Sequence, residues 1–174
     1  YLTASSASAS LQDVVQGVAS PDVAGALGAA IGDDLEVGTE DDAISENAYR
    51  QAMDVYRPQL QQLYRDYFRK QRVEAVVFPT TPLPARLIEG SVQTVRLNGV
   101  DVPTFPTYIR NTDPGSNAGI PGLSLPCGLT PEGLPVGLEL DGPEGSDRRL
   151  LAIALALEDV FGGVPAPVLA GGAQ

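Results

Sequence analysis

A catalytic centre needs groups such as a nucleophile, a base, a metal site or donors for developing charge. Few residues of this chain suit those roles. Histidine is absent, which removes the commonest general base and every Ser-His or Cys-His pairing. Cys127 is the sole cysteine. A reactive thiol needs a helix N-terminus or a nearby cation to lower its pKa. Spacing supplies neither, so Cys127 reads as a small apolar residue at a strand end. Lys70 is the sole lysine and stands beside Arg69 and Arg72 on a charged helix face; a base would need burial. One cysteine with carboxylates is a poor zinc set, so no metal is expected. Gly115-Ser-Asn-Ala-Gly119 lacks the Lys-Ser/Thr that completes a phosphate loop. Gly122-Leu-Ser124-Leu-Pro126 lacks the second glycine of a nucleophile elbow. Chemistry alone completes no catalytic constellation.

The elements that would hold such residues fall into four blocks. Leu11, Val14, Val15 and Val18 follow helical spacing, and Ser20-Pro21-Asp22 opens a second short helix rich in Ala and Gly. The acidic stretch Gly32–Ala43 reads as a loop. A long amphipathic helix follows Ser45, its N-cap. Tyr49, Met53, Tyr56, Leu60, Leu63, Tyr67 and Phe68 form its apolar stripe, read as core packing rather than a ligand box, and Pro58 kinks or splits it. Val73–Pro79 reads as a buried strand of a parallel or mixed sheet. Asn98-Gly99 sits between runs of alternating apolar residues, the strongest short hairpin signal. Strands are expected at Gly122–Pro126 and Val136–Leu140. Ser146-Asp147 caps a helix apolar nearly all round, which predicts burial between layers. The fold class is α/β: helices flanking a mixed sheet that this chain alone does not complete.

Composition sets limits. The 174 residues are 43% hydrophobic, which suits a globular domain able to bury a core. A net charge of −11 argues against nucleic acid as a partner, since phosphate binding draws on clustered Lys and Arg. The acidic run from Asp33 to Glu46 and the basic run from Arg50 to Arg72 read as solvated faces. No apolar stretch is long enough for a membrane span, so no membrane partner is expected. The lone cysteine and the lack of a signal peptide suggest a cytoplasmic protein. The start at Tyr1 instead of Met suggests a chain cut from something longer.

Three motifs, in order, bring recognition. Asn117-Ala-Gly-Ile-Pro-Gly-Leu-Ser-Leu-Pro-Cys-Gly128, then Gly133-Leu-Pro-Val-Gly-Leu-Glu-Leu140 and the apolar helix, resemble the distal end of amidase-signature enzymes. Val76-Val-Phe-Pro-Thr-Thr-Pro82 resembles that family's earlier strand. Arg110-Asn-Thr-Asp-Pro-Gly-Ser-Asn-Ala-Gly119, with Leu138-Glu-Leu-Asp-Gly-Pro143 and Ser146-Asp-Arg-Arg-Leu150, is similar to the indoleacetamide and mandelamide hydrolase branch. The resemblance implies residues 1–174 as a C-terminal amidase portion, with an ordered core over 11–161 and a flexible tail over 162–174. It implies hydrolysis of linear, aryl or alkyl, amides to carboxylate and ammonia by a Ser–cis-Ser–Lys triad, with no cofactor. The glycine- and serine-rich segment and the lysine of that triad have no counterpart here. No catalytic residue is therefore assigned, and the fragment alone is expected to be inactive.

The resemblance does carry over a pocket wall. In related amidotransferase subunits an aspartate about ten residues before the A-G-x-P glycine holds the substrate's charged end; counting back from Gly119 reaches Ile109. An apolar residue there suits an aryl or alkyl amide, with Tyr108, Asn111 and Thr112 as neighbouring substrate-binding candidates. The small-molecule substrate would bind with the N-terminal half present. Surface left bare by that half predicts a homodimer or domain-swapped form. The alternative is a non-catalytic binding or interaction module derived from an amidase.

Overall fold

The computed structural model describes residues 10–20, 23–25, 27 and 45–163. The chain forms two compact units, Tyr1–Tyr56 and Arg57–Gln174. The acidic stretch, most of the second short helix, and the tail after Gly163 lie outside the described residues.

In the first unit, α1 spans Leu11–Gln16. Ser10 caps it reciprocally: the Asp13 amide donates to Ser10 Oγ at 3.1 Å, and the Ser10 amide donates to the Asp13 carboxylate at 2.8 Å. This two-way cap satisfies donors that a helix start leaves orphaned. The helix ends at Gly17, one residue short of Val18. Ser45 caps α2, Glu46–Gln51, by accepting from the Ala48 amide at 3.1 Å. A π-helical turn, Ala52–Tyr56, follows. The interruption expected at Pro58 thus takes the form of a widened turn just before it. Proline offers no N–H and crowds the carbonyl four residues back, and a wider turn relieves both.

The second unit opens with α3, Arg57–Gln71. Only Phe68 of the expected stripe is buried, while Leu63 and Tyr67, like Tyr49, Met53 and Tyr56 in the first unit, are exposed. The inward edge of α3 runs instead through Gln61, Tyr64 and Phe68, whose rings stack with centroids 6.4 Å apart for Tyr64 and Phe68. The packed edge is narrower than the 3.5-residue apolar stripe and offset from it.

A three-stranded sheet follows in the order β1-β5-β4, from β1 Val76–Pro79, β4 Gly122–Leu129 and β5 Pro135–Asp141. Both pairings are antiparallel, where the apolar run ending at Pro79 suggested a parallel or mixed neighbour. That run is covered on one face only, with Val77 exposed, so it lacks the two-faced burial of a parallel strand. Val76 and Gly122 both face Asp141 across β5. β4 continues past Pro126 through an irregularity between Pro126 and Gly128. The hairpin forms separately, from β2 Thr94–Leu97 and β3 Val100–Pro103. Its turn residues Asn98 and Gly99 have φ of 50° and 81°, the positive pair that a tight two-residue turn requires.

Two helices were not foreseen, α4 Thr104–Ile109 and α5 Asp113–Ala118. Their prolines and glycines resemble loop punctuation, yet Pro114 occupies the first turn of α5, where a missing N–H costs nothing. Gly119 ends α5 in the left-handed region at φ 73°.

α6, Asp147–Phe161, lays Leu150 and Ala154 on Leu140, with Leu123, Leu125, Ile153 and Leu157 around them. Burial on both faces was expected of it. Instead Leu155 is 64% and Val160 76% exposed: one face meets the sheet, and none of the described residues covers the other. Replacing fully buried Leu140 by Ala should cost about 2–5 kcal/mol in urea unfolding, whereas Leu155→Ala should stay within about 0.5 kcal/mol.

Candidate functional site

The four residues proposed for a pocket wall lie together along α4 and the turn into α5. Tyr108 and Ile109 end α4, and Asn111 and Thr112 precede α5. The Tyr108 hydroxyl donates to the Pro84 carbonyl at 2.8 Å, and Asn111 Nδ2 donates to the Pro79 carbonyl at 2.7 Å. Both bonds tie the wall to the proline-rich loop leaving β1. Both carbonyls, at the end of β1 and in the loop after it, thus find side-chain donors. The Thr112 amide donates to the Ile109 carbonyl at 3.1 Å, closing the turn. Ile109 itself is half-buried. A broad open depression lies elsewhere, between Ala85, Arg86, Leu87, Ser91, Val95 and Leu134; none of the four wall residues lines it.

α5 is held at its far end by α3. Arg57 Nε donates to the Asn117 carbonyl at 3.1 Å, and Gln61 Nε2 donates to the Ala118 carbonyl at 2.9 Å. These are carbonyls that a helix end leaves without partners.

Beneath α5 the sheet carries a feature that sequence reasoning missed. Glu139 and Asp141, 8% and 4% exposed, project from one face of β5, opposite the face that Leu140 gives to the core, because successive strand residues alternate. α5 approaches so closely that a Cβ on Gly115 would stand 2.7 Å from Asp141 Oδ2. A Cβ on Gly122 would stand 2.9 Å from Asp141 Oδ1 and 3.0 Å from Glu139 Oε1, so both carboxyls converge over that glycine. Further along, the Thr80 and Ser124 hydroxyls share a hydrogen bond, and Thr80 also bonds Glu139. Glu139 Oε2 is buried without a partner. Burial raises the Glu139 pKa against the Thr80 bond. Asp141 is pushed up to about 6, by burial first and then by the charge of Glu139. Burial, then the charge of Asp141, also raises the Tyr64 phenol. The signal available was the alternation Leu138-Glu-Leu-Asp141. Alternation shows that Glu139 and Asp141 share a face, and the Gly115 backbone of α5 is what covers Asp141 there.

The other candidates are inert in geometry. Cys127 is half-buried, its Sγ donating to the Val136 carbonyl at 3.5 Å. Lys70 is exposed. Among the described residues no group of three or more His, Cys, Asp or Glu is placed to hold a metal, and no helix is long and apolar enough to cross a membrane.

Residues 14–151 match the family described as Amidase, and the chain belongs to it. An indoleacetamide hydrolase of Agrobacterium vitis is 51% identical over 149 residues, covering 86% of this chain and 30% of that protein. A mandelamide hydrolase of Pseudomonas putida is 38% identical, covering 98% of this chain and 33% of its own length. A crystal structure of an amidase superposes with a TM-score of 0.68 at 32% identity, over 87% of this chain and 31% of that one. The chain therefore spans about a third of the length of the relatives it matches.

Proposed function

We propose that these residues are the C-terminal part of an amide hydrolase that converts linear aryl or alkyl amides to carboxylate and ammonia. The observation that carries this reading is the Amidase match over residues 14–151 in a chain spanning about a third of its relatives. The relatives named for indoleacetamide and mandelamide favour an aryl acyl group. On this reading the chain contributes sheet scaffold and one wall of the acyl pocket, while the Ser–cis-Ser–Lys triad belongs to sequence outside it. Ile109 is the specificity residue, because it is apolar and stands between the anchored side chains of Tyr108 and Asn111. Thr112 closes the turn behind it. The protein works in the cytoplasm, in keeping with its single free cysteine.

The purified chain mixed with phenylacetamide or indoleacetamide should release no ammonia above background. Release at an ordinary enzymatic rate would show that the catalytic groups are present here after all. In the intact hydrolase, Ile109→Asp should lower kcat/KM for phenylacetamide about tenfold or more, since burying an aryl group there is worth about 1.5–3 kcal/mol. An unchanged ratio between aryl and short alkyl amides would remove Ile109 from the pocket.

The exposed apolar face of α6, with Leu151, Leu155 and Val160, and the loop residues Leu87 and Ile88 should drive the isolated chain to self-associate. Light scattering should report a dimer or larger species, and a clean monomer at high concentration contradicts this.

A further inference from the structure

Glu139 and Asp141 stand two residues apart on one strand face, which places their carboxyls side by side. Both are almost wholly buried, and one Glu139 oxygen has no partner. Two ionised carboxylates in such a place would repel each other while lacking the water that normally stabilises them.

Among the described residues, no ion pair joins them to a compensating cation. On α3, Tyr64 lies within reach of the Asp141 charge; from just after β1 and from β4 come the hydroxyls of Thr80 and Ser124; from α5 comes the bare backbone of Gly115. Arg57 is engaged with the Asn117 carbonyl and Arg65 with Gln62 and Glu144. The ion pairs among the described residues use Glu46, Glu144, Asp66, Asp101 and Glu74, and none uses Glu139 or Asp141.

We propose that Glu139 and Asp141 hold one proton between them, and that this proton is a pH-sensitive latch keeping α5 seated on the sheet. The close approach of Gly115 to Asp141 is what couples the two. With the proton present, the pair carries a single charge, and the helix backbone lies against it. With the proton lost, two like charges must draw in water, and the layer they must open is the one between β5 and α5. A carboxyl whose pKa is higher in the folded chain than in the unfolded one favours folding most at low pH. That contribution is lost as pH rises through about 6, where Asp141 ionises. α5 begins immediately after Thr112, so release would also loosen Ile109–Thr112. That last consequence for substrate rests on the amidase reading, whereas the latch itself does not.

Hydrogen exchange of residues 115–119 at pH 5 and pH 8, corrected for intrinsic rates, tests the latch on the chain alone. Exchange should be faster at pH 8 by about tenfold, because only about one unit of the rise from 3.8 to about 6 lies above pH 5, and thermal unfolding should occur at lower temperature. The β2–β3 hairpin should show no such change. Asp141→Asn and Glu139→Gln should each remove most of the dependence. Equal wild-type exchange at both pH values, or a variant retaining the full slope, overturns the proposal. If neither variant folds, carboxyl-carbon NMR of the wild type decides. One of the two groups titrating above pH 5 supports the shared proton, and both titrating below pH 4.5 refutes it.

Discussion

β5 is the strand on which the second unit depends, because it is paired on both edges and covered on both faces. Its Leu140 side chain anchors the contact with Leu150 and Ala154 of α6, and its two edges carry β1 and β4. Its other face turns Glu139 and Asp141 toward α5. One face therefore draws on burial of apolar surface, and the other sets a polar cluster in a layer that excludes water. A strand built this way cannot slip by one residue, since every leucine would exchange places with a carboxyl. Register, core and candidate site are fixed by the same seven residues.

That arrangement also explains the tight spacing of small residues nearby. Gly115, Gly122 and Gly137 each sit where a Cβ would run into a carboxyl or hydroxyl at 2.7–3.0 Å. Gly115 and Gly122 let α5 and β4 approach the polar face of β5, and Gly137, on β5 itself, leaves room for the Thr80 and Ser124 hydroxyls. Glycine serves here for close approach, not for turning: none of the three has a positive φ.

Legibility from sequence varied with how local the controlling physics was. The Ser45 cap, the Asn98-Gly99 turn and the strands around Ser124 and Leu138 follow from a few adjacent residues, and they are readable. The Ser10 cap was not read, and Ser146, expected to cap α6, precedes it without a side-chain cap bond. α4 and α5 were not, because their prolines and glycines look like loop residues until their first-turn position is known. The wall residues Tyr108, Ile109, Asn111 and Thr112 could be named through resemblance, but the bonds from Tyr108 to Pro84 and from Asn111 to Pro79 span 24 and 32 residues. The Glu139–Asp141 pair was hidden for the same reason. Alternation reveals which residues share a face, and only the fold reveals what covers it. The exposed faces of α3 and α6 show the reverse error, in which apolar character was taken as burial within this chain.

The two outer strands of the main sheet, β1 and β4, both carry proline, at Pro79 and Pro126. A proline cannot donate to a neighbouring ladder. Any further strand laid along either margin must therefore choose an alignment that tolerates a missing donor. The margins behave like keyed edges: they discourage indiscriminate stacking of one copy on another, and they narrow the set of polypeptide segments that could extend this sheet.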